Sequence, residues 1–504
     1  MTGPESPTSR SALKRWALWS GPAVAALTVL LAALDLQPSA FEPAAFQVLG
    51  ITYWIAVWWM SEVVPIAATS MLPLVLFPML RVAPFGDMAG RKGVASAYMD
   101  PFVMLLLGGF MAAFAIERWN LHRRMAFRIL LGFGNSPRRL VLGMMVATAV
   151  CSMWISNTAT TLIMLPIGIA LVTRLKDELG ADSDVAKRFG LVLFLGLAYA
   201  ASVGGLGTPI GTPPNLIYMQ NRGDVSFLDW LMFGLPTVAI LIPLIWFYLI
   251  TVVGKLPRQL PVSGREVLHE ELGKLGRMSR EEKVVALVFA GMALLWITRK
   301  ITLGVDPETG EKEIIGWASA LGVSAFVHDG VVAVAGALVL FIWPSHNRPG
   351  ERLLDWPTAK KIPWDVLLLF GGGIALARAF KQSGLSEVLI HQLDALASFP
   401  APLMILCVAL TVTFLTEVTS NTATANLMMP LLAAFAVSNG LVPDEVMLPA
   451  VLSVSCAFML PVATAPNAIV YGSGQVPIQA MVRAGFWLNL GCAGVITLLA
   501  WLVF

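Results

Sequence analysis

Residues 156–160 and 420–424 spell the same five letters, SNTAT. The match continues in register. The offset of 264 (156 to 420) also superposes Gly108-Gly109 on Gly372-Gly373 and Pro166 on Pro430. Downstream, GTPPNLI (211–217) pairs with ATAPNAI (463–469) at an offset of 252 (211 to 463), because the first copy has a longer polar loop at 173–190. One shared pentapeptide could be coincidence. Anchors in the same order cannot, so the chain is an internal duplication and must fold as two related halves.

Both polar strings lie in apolar sequence. The 504 residues are 57% hydrophobic and 13% charged, where a soluble globular chain carries about 25% charged residues. Runs such as WALWSGPAVAALTVLLAAL (16–34), FGLPTVAILIPLIWFYLITVV (233–253) and GFWLNLGCAGVITLLAWLVF (485–504) have the length of a bilayer-crossing helix, about 20 residues. They do not alternate, which excludes a transmembrane β-barrel. The chain therefore reads as an all-α polytopic membrane protein. A net charge of +3 says little about partners. Cys151, Cys407, Cys456 and Cys492 stand singly in apolar runs and read as buried thiols, and the five histidines show no zinc spacing. The polar N-terminus reads as disordered to about Arg10, and the first apolar run, too long for a signal peptide, as a retained helix.

Eleven spans are expected, near 16–34, 50–66, 67–80, 102–117, 190–218, 232–253, 284–298, 329–344, 364–380, 447–470 and 484–504. Segments 141–172 and 402–436 stand apart. With a cytoplasmic N-terminus, roughly 25 Lys and Arg fall inside against 8 outside. That tally holds only if 141–172 returns to the side it enters from. Arms of about 15 residues reach about 22 Å, short of a core of about 30 Å, so each segment reads as a re-entrant hairpin. The first enters from inside and the second from outside, which makes the repeats inverted, as in many secondary transporters.

Irregular backbone inside a bilayer is tolerated where it lines a cavity or is buried in protein. SNTAT reads as the hairpin turn, with Ser and Asn as helix caps. The prolines of GTPPN and ATAPN break late spans, leaving free carbonyls before the break and free N–H groups after it. Carbonyl and side-chain oxygens suit a hard cation such as Na⁺. Helix N-termini with hydroxyls and amides suit an anion. Neither cluster contains Lys or Arg, so bound Na⁺ would help hold a dianion. Small residues in membrane helices often only permit close packing, but two copies in register, each with a Pro-Asn break, favour binding. Glu417 and Glu62 are further candidates because they lie within spans. Arg378 reads as a snorkelling span end, and His328-Asp329 as a solvated one.

Carried by the paired SNT strings and Pro-Asn loops, the sequence from about residue 50 to 504 resembles the divalent anion/sodium symporter family, which includes sodium–dicarboxylate, sodium–citrate and sodium–sulfate cotransporters. The resemblance implies a homodimer in the cell membrane, each protomer with a scaffold and a transport domain that moves as an elevator. The expected division is a tail and first scaffold part at 1–140, a first transport half at 141–253, a cytoplasmic linker at 254–283, a second scaffold part at 284–401 and a second transport half at 402–504. It implies a first Na⁺ site of Ser152, Ser156, Asn157 and the backbone of Gly211. A second would use Thr416, Thr419, Asn421 and the backbone of Ala463. Substrate carboxylates would meet Asn157, Thr158, Thr212, Ser420, Asn421, Thr422, Thr464 and the turn at Pro466. Ile155 and Ala465 depart from the pattern. The function implied is Na⁺-coupled symport of a C4-dicarboxylate such as succinate, malate or fumarate. The alternatives are a dicarboxylate exchanger or a symporter of sulfate or citrate. The chain is not read as an enzyme, for its spans hold no Ser–His, Asp–Asp or HExxH arrangement.

Overall fold

The computed structural model describes residues 7–88, 90–134, 136–180, 183–258, 264–305, 312–391 and 394–503. Two opening helices, α1 (Pro7–Ala33) and α2 (Pro43–Ser61), pack together, followed by the short α3 (Ile66–Thr69) and α4 (Leu72–Met79). Next come α5 (Pro101–Arg118), α6 (Leu121–Leu131), α7 (Pro137–Ser152), α8 (Asn157–Leu179), α9 (Asp184–Gly204), α10 (Pro213–Arg222) and α11 (Phe227–Tyr248). After α12 (Gly264–Lys274), α13 (Arg280–Arg299), a hairpin of strands β1 (Ile301–Val305) and β2 (Lys312–Ile315), and α14 (Trp317–Ala320), the order repeats. The second series is α15 (Asp329–Ile342), α16 (Trp356–Ala359), α17 (Trp364–Ser383), α18 (Leu385–His391), α19 (Asp394–Ala397), α20 (Ala401–Thr416), α21 (Asn421–Ser438), α22 (Pro443–Val454), α23 (Ala465–Gly472) and α24 (Ile478–Val503). Helix α1 begins at Pro7, before the expected start; residues 1–6 of the N-terminal tail lie outside the described residues.

The duplication is visible element by element. Helices α7 and α20 start and end 264 residues apart, and both are followed by four-residue turns, 153–156 and 417–420. Left-handed residues mark the same joint in both halves: Asn120 (φ 57°) between α5 and α6, and Gly384 (φ 75°) between α17 and α18. Among the described residues, seven helices are long and apolar enough to cross a membrane, fewer than the eleven spans read from sequence. The remainder are short, broken or charged at their ends. Helix α13 has the 20 residues, about 30 Å, that a crossing needs, but its termini carry ion pairs.

Those ion pairs sort the loops into two polar layers. In the first, Arg124 pairs with Glu282 at 2.9 Å and donates to the carbonyls of Leu275 and Gly276. Arg174 meets Glu266 at 3.5 Å, Arg138 donates to Leu256 O, and Arg118 pairs with Glu351 and Asp355. These bonds join 117–140, 173–190, 254–283 and 345–363 into one layer. In the second, Arg222 pairs with Asp444, Arg299 with Asp329 and Arg378 with Asp100. None of these pairs joins one layer to the other. Two expectations are corrected here. Arg378 does not snorkel free; it is held by Asp100 and Ser96, each at 3.0 Å. Asp329 is not a solvated span end; it is 1% exposed and takes both arms of the Arg299 guanidinium, while His328 caps α15 by accepting from Gly330 N–H. Glu62 ends α2 in the left-handed conformation (φ 47°), a helix terminator.

Candidate functional site

The first SNTAT string starts α8. Ser156 stands in extended conformation and its hydroxyl accepts from Ala159 N–H at 3.2 Å, which fixes where the helix begins. Asn157 then occupies the first helical position with its amide turned back to the preceding arm. The Ser152 hydroxyl donates to Asn157 Oδ1 at 2.7 Å and approaches Ala201 O at 2.6 Å. Gly205 is the meeting point of tip and loop. A Cβ there would contact Asn157 Oδ1, Gly211 O and Thr212 Cβ, all near 3 Å. Ser152, Asn157, Gly211 and Thr212 thus share one small oxygen-rich space, while Ser156 and Thr158 at the same tip are exposed.

The second string repeats the arrangement. The Thr416 hydroxyl donates to Asn421 Oδ1 at 2.6 Å, and Thr419 contacts Thr424 at 2.6 Å and donates to Leu415 O. Thr416 and Thr419 are buried; Ser420, Asn421 and Thr422 are half-buried. The halves differ in capping. Ser156 caps in the first hairpin and Ser420 does not, whereas Thr464 caps in the second broken helix and Thr212 does not. Ala463 is buried, its N–H bonded to Leu460 O. Pro466 sits at the second helical position of α23, and the departing Ala465 beside it is exposed; Ile155 is buried at the first tip.

The prolines do not make the breaks as sequence implied. They lie in the first turn of α10 and α23, where a missing N–H costs nothing. Two asparagines that sequence reading left without a role shape the breaks instead. Asn215 Nδ2 donates to Gly205 O and Thr208 O at 2.9 and 2.8 Å; Asn467 Nδ2 donates to Ala457 O and Leu460 O at 3.0 and 3.1 Å. Each amide bridges carbonyls ten and seven residues upstream, satisfying groups that the ended helix leaves open. The Oδ1 atoms of both are buried without a hydrogen-bond partner among the described residues. The register pair in PPN and APN was the available signal.

The two halves interlock. Helix α10 of the first half packs on α21 of the second, and α23 of the second packs on α8 of the first. All four begin between the polar layers. Helix α8 ends at Arg174 and Glu178 in the first layer; α10 ends at Arg222, paired across halves with Asp444 in the second. Four helix N-termini with Ser, Thr and Asn at their starts therefore lie in the interior, each with outward-facing N–H groups that favour negative charge. Glu417 also lies here. It is 3% exposed and accepts from the N–H groups of Phe458, Met459 and Leu460 and from Asn489 Nδ2. Asn489, on α24, gave no signal in sequence.

Residues 15–504 match the family described as the sodium:sulfate symporter transmembrane region. The chain belongs to this family. It is 40% identical over 489 residues to the sodium-dependent dicarboxylate transporter SdcS of Staphylococcus saprophyticus, covering 95% of this chain and 89% of that protein. Against SdcS of Staphylococcus aureus, identity is 41% over 485 residues with the same coverage. In fold it is similar to the crystal structure of the Alcanivorax borkumensis YdaH transporter, with a TM-score of 0.53 at 14% identity, covering 86% of this chain and 98% of that one. The sodium:sulfate symporter family is one of transporters, so this member is a multi-pass membrane transporter and not an enzyme.

Proposed function

We propose that this chain is a Na⁺-coupled symporter of a C4-dicarboxylate, working as a homodimer in the cell membrane with its N-terminus in the cytoplasm. The observation that carries the reading is the paired cluster. In each half, a hairpin-tip Asn presents Oδ1 beside a hydroxyl and the carbonyl-rich break of a half-helix. Such neutral oxygens suit Na⁺. Substrate dianion would then lie among four helix N-termini, held by Thr158, Thr212, Ser420, Thr422 and Thr464, with no Lys or Arg in either string. Two bound cations would supply the positive charge that the protein lacks there, and this couples the fluxes. The identity to transporters named for sodium and dicarboxylate supports the substrate class.

The proposed moving body comprises 141–253 and 402–504, borne on a scaffold from 1–140 and 284–401 and linked through 254–283. Elevator motion is supported by a break in the symmetry of the halves. Asn426 of α21 is buried against α17, bonded to Leu369 O at 3.3 Å. Its register mate, Leu162 of α8, is 54% exposed. A cavity of about 400 Å³ lies along the same helix, between Ile163, Pro166, Ile167, Ala170, Arg123 and Glu271. This is the pattern of a carrier closed on the side of the second polar layer and open on the first. Uptake of labelled succinate into proteoliposomes tests the function. The expected result is uptake driven by a Na⁺ gradient, absent in choline and poorly inhibited by sulfate or citrate. Equal uptake in choline, dependent on internal dicarboxylate, would make the protein an exchanger.

A further inference from the structure

Glu417 is a further place where the two halves stop being copies. Its register mate is Met153. The equivalence is physical: the Met153 side chain lies against Gly207, the mate of Met459, as Glu417 lies against Met459 itself. In the first half the join between tip and break is made by the Thr208 hydroxyl donating to Met153 O. In the second half it is made by a carboxylate. Glu417 Oε1 accepts from Phe458 N at 2.7 Å, Met459 N at 2.9 Å and Asn489 Nδ2 at 2.7 Å; Oε2 accepts from Leu460 N at 3.0 Å.

Three consecutive N–H groups turned to one anion form a nest, and here a side chain of the protein fills it. The same stretch is gripped from its other face, where Asn467 holds Ala457 O and Leu460 O, and Tyr199 of the first half donates to Phe458 O at 3.0 Å. The strand so fixed leads directly to Ala463 and Thr464. Glu417 itself is four residues from Asn421. All its partners are neutral donors, and no cationic side chain pairs with it among the described residues. Neutral donors stabilise a carboxylate without cancelling its charge.

We propose that Glu417 is a positioning residue for the second cation. It locks the hairpin tip to the unwound strand, and its unneutralised charge favours a cation in the second half before the dianion arrives. The inference rests on the symport reading above. It predicts an asymmetry that the sequence repeat hides: the second half holds its cation more strongly than the first.

The test is Na⁺-dependent succinate uptake by wild type, Glu417→Gln, Asn489→Ala and Met153→Leu in proteoliposomes, with Na⁺ varied at saturating succinate and succinate varied at saturating Na⁺. Glu417→Gln keeps the volume, removes the charge and turns one donor against the nest. It should raise the Na⁺ concentration for half-maximal uptake by about tenfold or more, the effect of losing a charge-assisted contact, and leave KM for succinate at saturating Na⁺ within about threefold. Asn489→Ala keeps the charge and loses one of four donors, so its Na⁺ requirement should rise by about threefold, one neutral hydrogen bond. Met153→Leu should leave both unchanged. A fall in maximal rate with an unchanged Na⁺ curve in Glu417→Gln would overturn the proposal. If that variant does not fold, an unchanged Na⁺ curve in Asn489→Ala overturns it. Absence of Na⁺ dependence in wild type would instead remove the symport reading itself.

Discussion

Asn157 and Asn421 each begin a helix and each take a hydroxyl proton on Oδ1, leaving an NH₂ group for a second partner. On the proposed function, replacing either by Ala would remove an acceptor for cation and a donor for carboxylate at once. Loss of one charge-assisted contact is worth about 1.5–3 kcal/mol, so Asn157→Ala and Asn421→Ala should each raise the half-saturating concentrations of Na⁺ and succinate by about tenfold or more. The assay is proteoliposome uptake with the size-exclusion profile as control; wild-type uptake at limiting Na⁺ would reduce the SNT strings to packing devices. Glu281, in the first polar layer, carries a pH prediction. Burial alone would raise its carboxyl, but the N–H groups of Asn347 and His346 and the Ser345 hydroxyl outweigh it and hold the group down at about 2. A depressed carboxyl stabilises the fold above its unfolded value, about 4.3, and loses that contribution as pH falls through the folded one. Glu281→Gln should therefore melt below wild type at pH 7, and the two curves should converge between about pH 4 and pH 2. A gap that does not narrow on acidification would show that these bonds do not depend on the charge.

At the scale of elements, the hairpins were legible in the sequence because duplication marked them, but the four-residue turns, 153–156 and 417–420, end at the first residue of each SNTAT string, whose remaining residues begin α8 and α21. Arm length was less so. Helix α8 runs 23 residues, not about 15, because its last turns leave the apolar segment and enter the polar layer through Arg174 and Glu178. The cause of the breaks was not legible. VLSVSCAFML reads as continuous span, and nothing local says that α22 stops at Val454; the stop is written in Asn467, ten residues past the first carbonyl it holds. Glu417 was visible, but its partners are backbone groups that exist only once that helix has ended. Arg378 and Asp329 were misread because their partners lie 278 and 30 residues away. The break predicts its own weak point. Asn467→Leu leaves the carbonyls of Ala457 and Leu460 without this donor, at about 1–3 kcal/mol each, and should lower the thermal midpoint in detergent clearly more than Asn221→Leu, whose amide caps only Ile217 O on the other half-helix, α10. Equal midpoints would mean that packing alone holds the break.

For the whole molecule, the broken symmetry between Asn426 and Leu162 would, on the proposed elevator reading, mark one state of a cycle. Gly373 is the contact that admits it: a Cβ there would overlap the Asn426 amide, whereas one at the mate, Gly109, would meet Ile210 at an ordinary 3.5 Å. Gly373→Ala should therefore disfavour the state closed over α21, and Gly109→Ala should not. The readout is reactivity of Leu162→Cys toward an impermeant thiol reagent from the side of the first polar layer, in a background lacking the four native cysteines. Reactivity should fall in Gly373→Ala and hold in Gly109→Ala. Equal reactivity in both would show that the Asn426 contact does not set the balance of states.

The interlock of α10 with α21 has a consequence for how the chain is made. Helix α10 ends at Arg222 and its packing partner begins at Asn421, so about 200 residues must still be synthesised before α10 can be covered, which takes about 10–40 s at 5–20 residues per second. Throughout that interval the broken helix of the first half lacks its neighbours α21 and α22. Its amide staple, Asn215 to Gly205 and Thr208, lies wholly within the first half. Each amide staple thus forms within its own half before the halves meet, and bonds across them, such as Tyr199 to Phe458 O, are left for assembly.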